Sequence, residues 1–260
     1  MTTLGILGTG LLGASIGLRV RELGWRVIGF DTDAQAAEEA AACGAIDLAV
    51  PRAEVLEQSD TIVIASHTGA TIAELEAMRA EPPRAAKLII DVASVKAPVV
   101  RAGRGLRNFV ATHPMAGRER SGASAATRDL FEGKTWLYVP TGDRELDWCV
   151  VEFIGAFGAT PVEVNAQEHD RIVAFTSHVP QVFATLFARS AEQRTGIDAY
   201  MGPAAREFLR LSRSNTHMWH DIIEANHTNI ARELRLLAEQ LARTADDIEN
   251  ARNLYEPLPR

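Results

Sequence analysis

The sequence is poor in cysteine: Cys43 and Cys149 are its only two and share no paired spacing, so neither a disulfide framework nor a thiolate metal site is expected. It also lacks a basic block. With 27 Lys and Arg against 34 Asp and Glu the net charge is −7, which offers nothing to nucleic acid or to an anionic membrane surface. No apolar stretch approaches the roughly 20 residues of a membrane span, and no charged leader precedes the first apolar run, so a cytoplasmic protein is expected. His217, His220 and His227 have no second set of ligands at matching spacing, and no metal is expected. Strand-like runs are missing as well, from Glu168 to Glu249.

What is present is an apolar content of 47%, enough for one large core or two modest ones. The chain is organised around Thr3 to Gly17, TLGILGTGLLGASIG. There the apolar run Leu4 to Leu7 meets Gly8, Gly10 and Gly13 in G-x-G-x-x-G spacing, and a helix-compatible segment follows at once. That reads as strand, tight turn and helix. Gly8 allows the turn, Gly10 lets a pyrophosphate approach the backbone, and Gly13 lets the helix pack closely on the strand. The first helical residues, Leu11 and Leu12, then offer N–H groups and a partial positive charge to the phosphates. A second strand-like run, Trp25 to Phe30, ends at Asp31, 18 residues after Gly13. A carboxylate there accepts hydrogen bonds from an adenosine ribose and repels a 2′-phosphate, so NAD is favoured over NADP. The alternative is that Asp31 caps the helix beginning near Asp33.

Further apolar runs at Thr61 to Ala65, Lys87 to Val92 and Phe109 to Thr112 alternate with helical patterns, and Trp136 to Val139 and Pro161 to Val164 flank a helix centred on Val151. The alternation predicts an α/β fold over residues 1–165, a doubly wound, mostly parallel sheet of the Rossmann type covered on both faces. Over residues 166–260 apolar positions recur at helical spacing, as in Ile172, Phe175, Val179, Val182 and Leu186, and an all-helical domain is predicted. Its last helix, from about Thr216 to Ile248, has no Gly or Pro and carries Met218, Ile222, Ile230, Leu234, Leu237 and Leu241 along one side. So long a helix is hard to cover inside one small domain. A homodimer through the C-terminal helices is expected.

Ligands of an open α/β sheet bind at the carboxyl ends of its strands, and Ser94 and His113 each fall just past such an end. Pro114 holds His113 extended, because a residue before proline is pushed out of the helical region. A dehydrogenase acting on an alcohol needs a group to take the hydroxyl proton as hydride leaves carbon, and His titrates near neutral pH. His113 is the candidate base and Ser94 its hydrogen-bonding neighbour. The competing reading of His113 is a capping or core histidine, and Arg206, Arg210 and Arg213 by themselves read as a solvated helix face.

The run HPMAGRERSGASAATRDLFEGKTW from His113, DVASVK at Asp91 to Lys96, SHVP at Ser177 to Pro180 and FLRLSRSNTHMW at Phe208 to Trp219 together resemble the prephenate and arogenate dehydrogenases of tyrosine biosynthesis. The resemblance implies a Rossmann domain followed by a helical dimerisation domain, and NAD-dependent oxidative decarboxylation of a cyclohexadienyl substrate. It implies that His113 bonds the ring hydroxyl with Ser94 beside it, and that Arg210 holds the ring carboxylate, a task suited to a planar bidentate donor. Glu119 and Glu207 match acidic residues at the site entrance, Glu207 standing where aspartate is more usual. Trp219 matches a site-lining tryptophan or packs between helices; Lys96 supports the nicotinamide end or lies on the surface.

Departures from the family pattern are equally informative. Ser66 and His67 replace the proline that often follows the third-strand alanine, and His67 faces cofactor or solvent. The usual His-Leu-Pro-His becomes His178, Val179, Pro180, Gln181, with His178 and Gln181 on one helical face and a kink expected at Pro180. A neutral Gln181 is expected to weaken the preference for prephenate, whose side chain is anionic, over arogenate. The chain ends at Arg260, so no regulatory or mutase domain is expected. Three other readings compete: the same chemistry on an amino-substituted prephenate analogue, a dehydrogenase of open-chain hydroxy acids, and a non-catalytic NAD-binding regulator.

Overall fold

Strands and helices alternate through the first part of the chain: β1 (Thr3–Leu7), α1 (Leu11–Glu22), β2 (Arg26–Phe30), α2 (Ala34–Ala42), β3 (Leu48–Ala49), α3 (Arg52–Gln58), β4 (Thr61–Ile64), α4 (Thr68–Ala80), β5 (Leu88–Asp91), α5 (Ala97–Ala102) and β6 (Phe109–Val110). The computed structural model describes residues 2–118 and 120–250. These six strands form one sheet in the order β3-β2-β1-β4-β5-β6, with every neighbouring pair parallel. Successive side chains of a strand point to opposite faces. Accordingly Ile6, Val27, Val63 and Ile90 enter one apolar cluster while Leu7, Ile28, Ile62 and Ile89 enter another. Both faces are buried, as a parallel sheet requires. The strand order reverses between β1 and β4, and the crevice at such a reversal is where an open α/β sheet binds its ligand.

A second, three-stranded sheet follows, made of β7 (Thr112–Pro114), β8 (Thr135–Tyr138) and β9 (Thr160–Glu163), with α6 (Arg144–Gly155) between the last two. β7 pairs antiparallel with β8, and β8 parallel with β9. The apolar run Phe109 to Thr112 is therefore not one strand. It bends at Ala111, leaving β6 in the large sheet and sending β7 into the small one. His113 therefore lies within β7, opposite Leu137, and not just past the end of a parallel strand as its place in the sequence suggests. Phe131, Trp136, Phe153 and Phe157 pack ring on ring beside this sheet, with centroids 4.8 to 6.4 Å apart.

The chain divides into two units, Met1–His169 and Asp170–Arg260. α7 (Ala166–Val173) runs across the division and continues into a π-helical turn, Ala174–His178, then α8 (Val179–Glu192), with Pro180 in the first turn of α8. Proline removes a donor and crowds the carbonyl four residues back, and the expected kink takes the form of this wider turn. Then come α9 (Pro203–Ser212) and α10 (Thr216–Glu249), which Asn215 caps by accepting a bond from Met218 N at 3.1 Å. α10 is not uniform: Asn226 has φ −123° and ψ 20°, a kink without Gly or Pro. Ile222 and Ile230 are buried along it, whereas Leu236, Leu241 and Ile248 are exposed. Among the described residues no helix is long and apolar enough to cross a membrane.

Candidate active site

The glycine turn is built by close approach. A Cβ on Gly13 would lie 2.0 Å from the Gly8 carbonyl oxygen, and one on Gly8, at φ 99°, would lie 2.6 Å from the Ala65 oxygen. Both positions exclude a side chain. At Gly10 a Cβ would meet nothing within 4 Å, so packing does not demand glycine there; a side chain would instead fill the space over the start of α1. Gly10 is the N-cap of α1 without a side-chain bond, and the first turn, with Leu11 and Leu12, holds no acidic residue. The first N–H groups of such a helix suit an anion. Asp31 directly follows β2; its Oδ2 accepts from Thr9 N at 2.7 Å and from Thr9 Oγ1 at 3.2 Å, and its Oδ1 from Asp33 N at 3.0 Å. The cap of α2 is Asp33, through Gln35 N at 3.0 Å, not Asp31. A dinucleotide fits this cradle: amides at a helix start for its phosphates and a carboxylate at the end of the next strand for a ribose.

At the end of β5 stands a buried polar network. Lys96 is 1% exposed, and its ammonium pairs with the Asp91 carboxylate and donates to the Thr112 carbonyl at 2.5 Å. The surface role considered for Lys96 is thus corrected. Asp91 also accepts from Ala93 N and Thr112 N, each at 2.9 Å, and Trp136 Nε1 donates to Thr112 Oγ1 at 2.9 Å. Lys96, Asp91 and Trp136 thus all bond Thr112, the residue before His113. They anchor β7 to the strand whose C-terminal loop carries the half-buried Ser94. His113 Nδ1 lies 2.9 Å from Nε2 of His169, a buried residue of α7 that sequence reasoning missed. His67 is exposed at the N-cap of α4.

The second unit carries the remaining candidates. His178 is 1% exposed, and Trp219 stands edge-on to it with ring centroids 5.9 Å apart. Asn226 Nδ2 lies 2.7 Å from the Asp170 carbonyl oxygen and 3.2 Å from His178 Nδ1, while Asn229 donates to its Oδ1 at 2.8 Å. A carbonyl only accepts, so the Asn226 amide nitrogen donates to both neighbours, and the proton of a neutral His178 sits on Nε2. Trp219 Nε1 is a buried donor with no partner among the described residues. Buried Gln181 gives its amide to the Leu211 carbonyl at 3.0 Å, tying α8 to α9, a use its place in the sequence did not announce. Arg210 grips Glu207 with two bonds, Nε to Oε2 at 2.9 Å and Nη2 to Oε1. The bond from Arg210 holds the exposed Glu207 carboxyl below its ordinary range, so the pair persists to a lower pH than a lone glutamate would allow. Glu119 lies outside the described residues.

The family model for the prephenate dehydrogenase nucleotide-binding domain matches residues 16–162, and that for the prephenate dehydrogenase dimerization domain matches residues 165–257. The chain belongs to the prephenate dehydrogenase family. It is 33% identical over 250 residues to a probable prephenate dehydrogenase, NovF, of Streptomyces niveus, covering 93% of this chain and 67% of that one. It is 29% identical over 273 residues to the prephenate dehydrogenase of Bacillus subtilis, covering 97% and 72%. Its fold matches that of Aquifex aeolicus prephenate dehydrogenase, solved with hydroxyphenyl propionate and NAD+, at a TM-score of 0.89 and 23% identity over 96% of this chain and 92% of that one. The match to the nucleotide-binding model begins within α1, so the glycine turn just before it is read from its own geometry.

Proposed function

We propose that the protein catalyses the NAD-dependent oxidative decarboxylation of a cyclohexadienyl carboxylate, prephenate or arogenate or an amino-substituted analogue, to the aromatic product. What carries the reading is the match of both parts of the chain to one dehydrogenase family. The cradle of Gly8, Gly10, Gly13, Leu11 and Leu12 receives the dinucleotide phosphates, and Asp31 the ribose. NAD, when bound, supplies the hydride acceptor. His113 takes the proton of the ring hydroxyl as hydride leaves the same carbon, while Ser94 holds that oxygen. Arg210 binds the ring carboxylate until the carbonyl formed opposite it draws off the electron pair released with CO2. The proton on His113 then returns to the phenolate oxygen, so the histidine ends as it began.

His178 and Gln181 stand where the family pattern meets the substrate side chain, and Trp219 offers an N–H whose partner among the described residues is missing. Leaving such a donor unsatisfied costs about 1–3 kcal/mol, which an oxygen of the substrate would offset. The neutral Gln181 favours arogenate over prephenate. Glu119 and Glu207 act at the site entrance, Glu207 by sharing Arg210. The assembly is a homodimer through the C-terminal helices, in keeping with the exposed Leu236, Leu241 and Ile248 and with the match to a dimerization domain. Two unpaired cysteines suit a reducing cytoplasm.

Initial rates with NAD and with NADP, across the three substrates, test the reading. We expect kcat/KM to be higher with NAD by about tenfold or more, because Asp31 gives a carboxylate to a ribose hydroxyl and repels a 2′-phosphate. Equal or better kinetics with NADP would remove the role given to Asp31. Arg210→Ala is expected to raise the substrate KM by roughly 10- to 100-fold, since a charge-assisted bond contributes about 1.5–3 kcal/mol. The KM for NAD should not move. An unaltered substrate KM would show that the ring carboxylate binds elsewhere.

A further inference from the structure

We infer that His169 is a positioning residue that fixes the tautomer of His113. His113 Nδ1 and His169 Nε2 are 2.9 Å apart, and the two rings meet edge to face with centroids 5.1 Å apart and planes at 66°. Each ring is delivered by an ordered element. β7 pairs with β8 and holds His113 opposite Leu137, with Pro114 keeping its backbone extended. His169 lies in the first turns of α7, where Asn165 accepts bonds from Gln167 N at 2.9 Å and Glu168 N at 3.3 Å and its carbonyl accepts from His169 N at 2.8 Å. Only 1% of His169 is exposed, so water does not compete for this contact.

One proton lies between the two nitrogens, and it has two placements. With the proton on His169, a neutral His113 carries its own proton on Nε2 and is a donor at that atom. With the proton on His113 Nδ1, its Nε2 holds a lone pair and can accept. Only the second arrangement makes a base of the nitrogen remote from His169. His169 then stays neutral, accepts at Nε2 and keeps its proton on Nδ1. When the substrate hydroxyl gives its proton to His113 Nε2, no bond at His169 breaks, but its contact becomes a charge-assisted one to an imidazolium, roughly twice as strong as a neutral bond. The preference for His113 as acceptor rests on the dehydrogenase reading; the tautomer itself is a property of the chain.

Protein labelled with 15N in histidine decides the matter through long-range proton–nitrogen correlations, which tell a protonated ring nitrogen from a bare one. The expected result for the wild type is a His113 protonated on Nδ1 and bare on Nε2. His169→Phe should return His113 to the Nε2–H form and lower kcat by roughly 10- to 100-fold, with both KM values within about twofold of wild type, as for loss of an outer partner that orients a reacting group. His169→Gln, which restores an acceptor, should recover the tautomer and most of the rate. A wild-type His113 protonated on Nε2 overturns the inference without need of any variant, as does His169→Phe with unchanged tautomer and rate. The expected tautomer in a protein that oxidises no cyclohexadienyl acid would uphold the positioning role and overturn the dehydrogenase reading instead.

Discussion

His113→Asn is expected to lower kcat by about 10² to 10⁴, the usual worth of a positioned general base, while the KM for NAD hardly changes. The split follows from where the residue sits. His113 belongs to β7 of the small sheet, whereas the glycine turn and Asp31 follow β1 and β2 of the large one. Asparagine keeps a hydrogen-bonding group on the same extended backbone but cannot take up a proton at neutral pH. Initial-rate kinetics check this directly. Turnover near that of the wild type would make His113 a structural histidine and would leave Ser94 without the partner given to it.

The second large effect is on stability. Lys96→Met should cost about 3–5 kcal/mol, because it removes one member of a buried ion pair and leaves the fully buried Asp91 carboxylate without its cation. Two backbone donors, Ala93 N and Thr112 N, remain to Asp91, and the Thr112 carbonyl loses its ammonium donor. Urea unfolding followed by tryptophan fluorescence reports on it, since Trp136 bonds the same threonine. A loss below about 1 kcal/mol would mean that the attraction of Asp91 for Lys96 barely exceeds the cost of taking the ammonium from water. The loss bears on function too, because the network fixes Thr112 beside His113.

Much of this was legible in the sequence, for local reasons. The strands of the large sheet announce themselves as apolar runs because both faces are covered, and the glycine turn because two of its positions admit no Cβ. β3 was not legible: two exposed residues, Leu48 and Ala49, leave no pattern. Nor was the break at Ala111, since Phe109 to Thr112 are all buried and read as one run. Side chains whose partners are remote were the hardest. Lys96 is five residues from Asp91 but sixteen from Thr112, and His169 is 56 from His113. The kink at Asn226 has the same origin: its amide is drawn to Asp170 and His178, far away in sequence, and no glycine or proline marks the place.

Whether hydride loss and decarboxylation occur on one ring is decided by following NADH absorbance and CO2 released from carboxyl-labelled substrate in the same reaction, with prephenate, arogenate and the amino-substituted analogue in turn. NADH and CO2 are expected in equal amounts with at least one of the three, together with the aromatic product. NADH formed without CO2 from the best substrate, or neither from any of them, would contradict the proposed function.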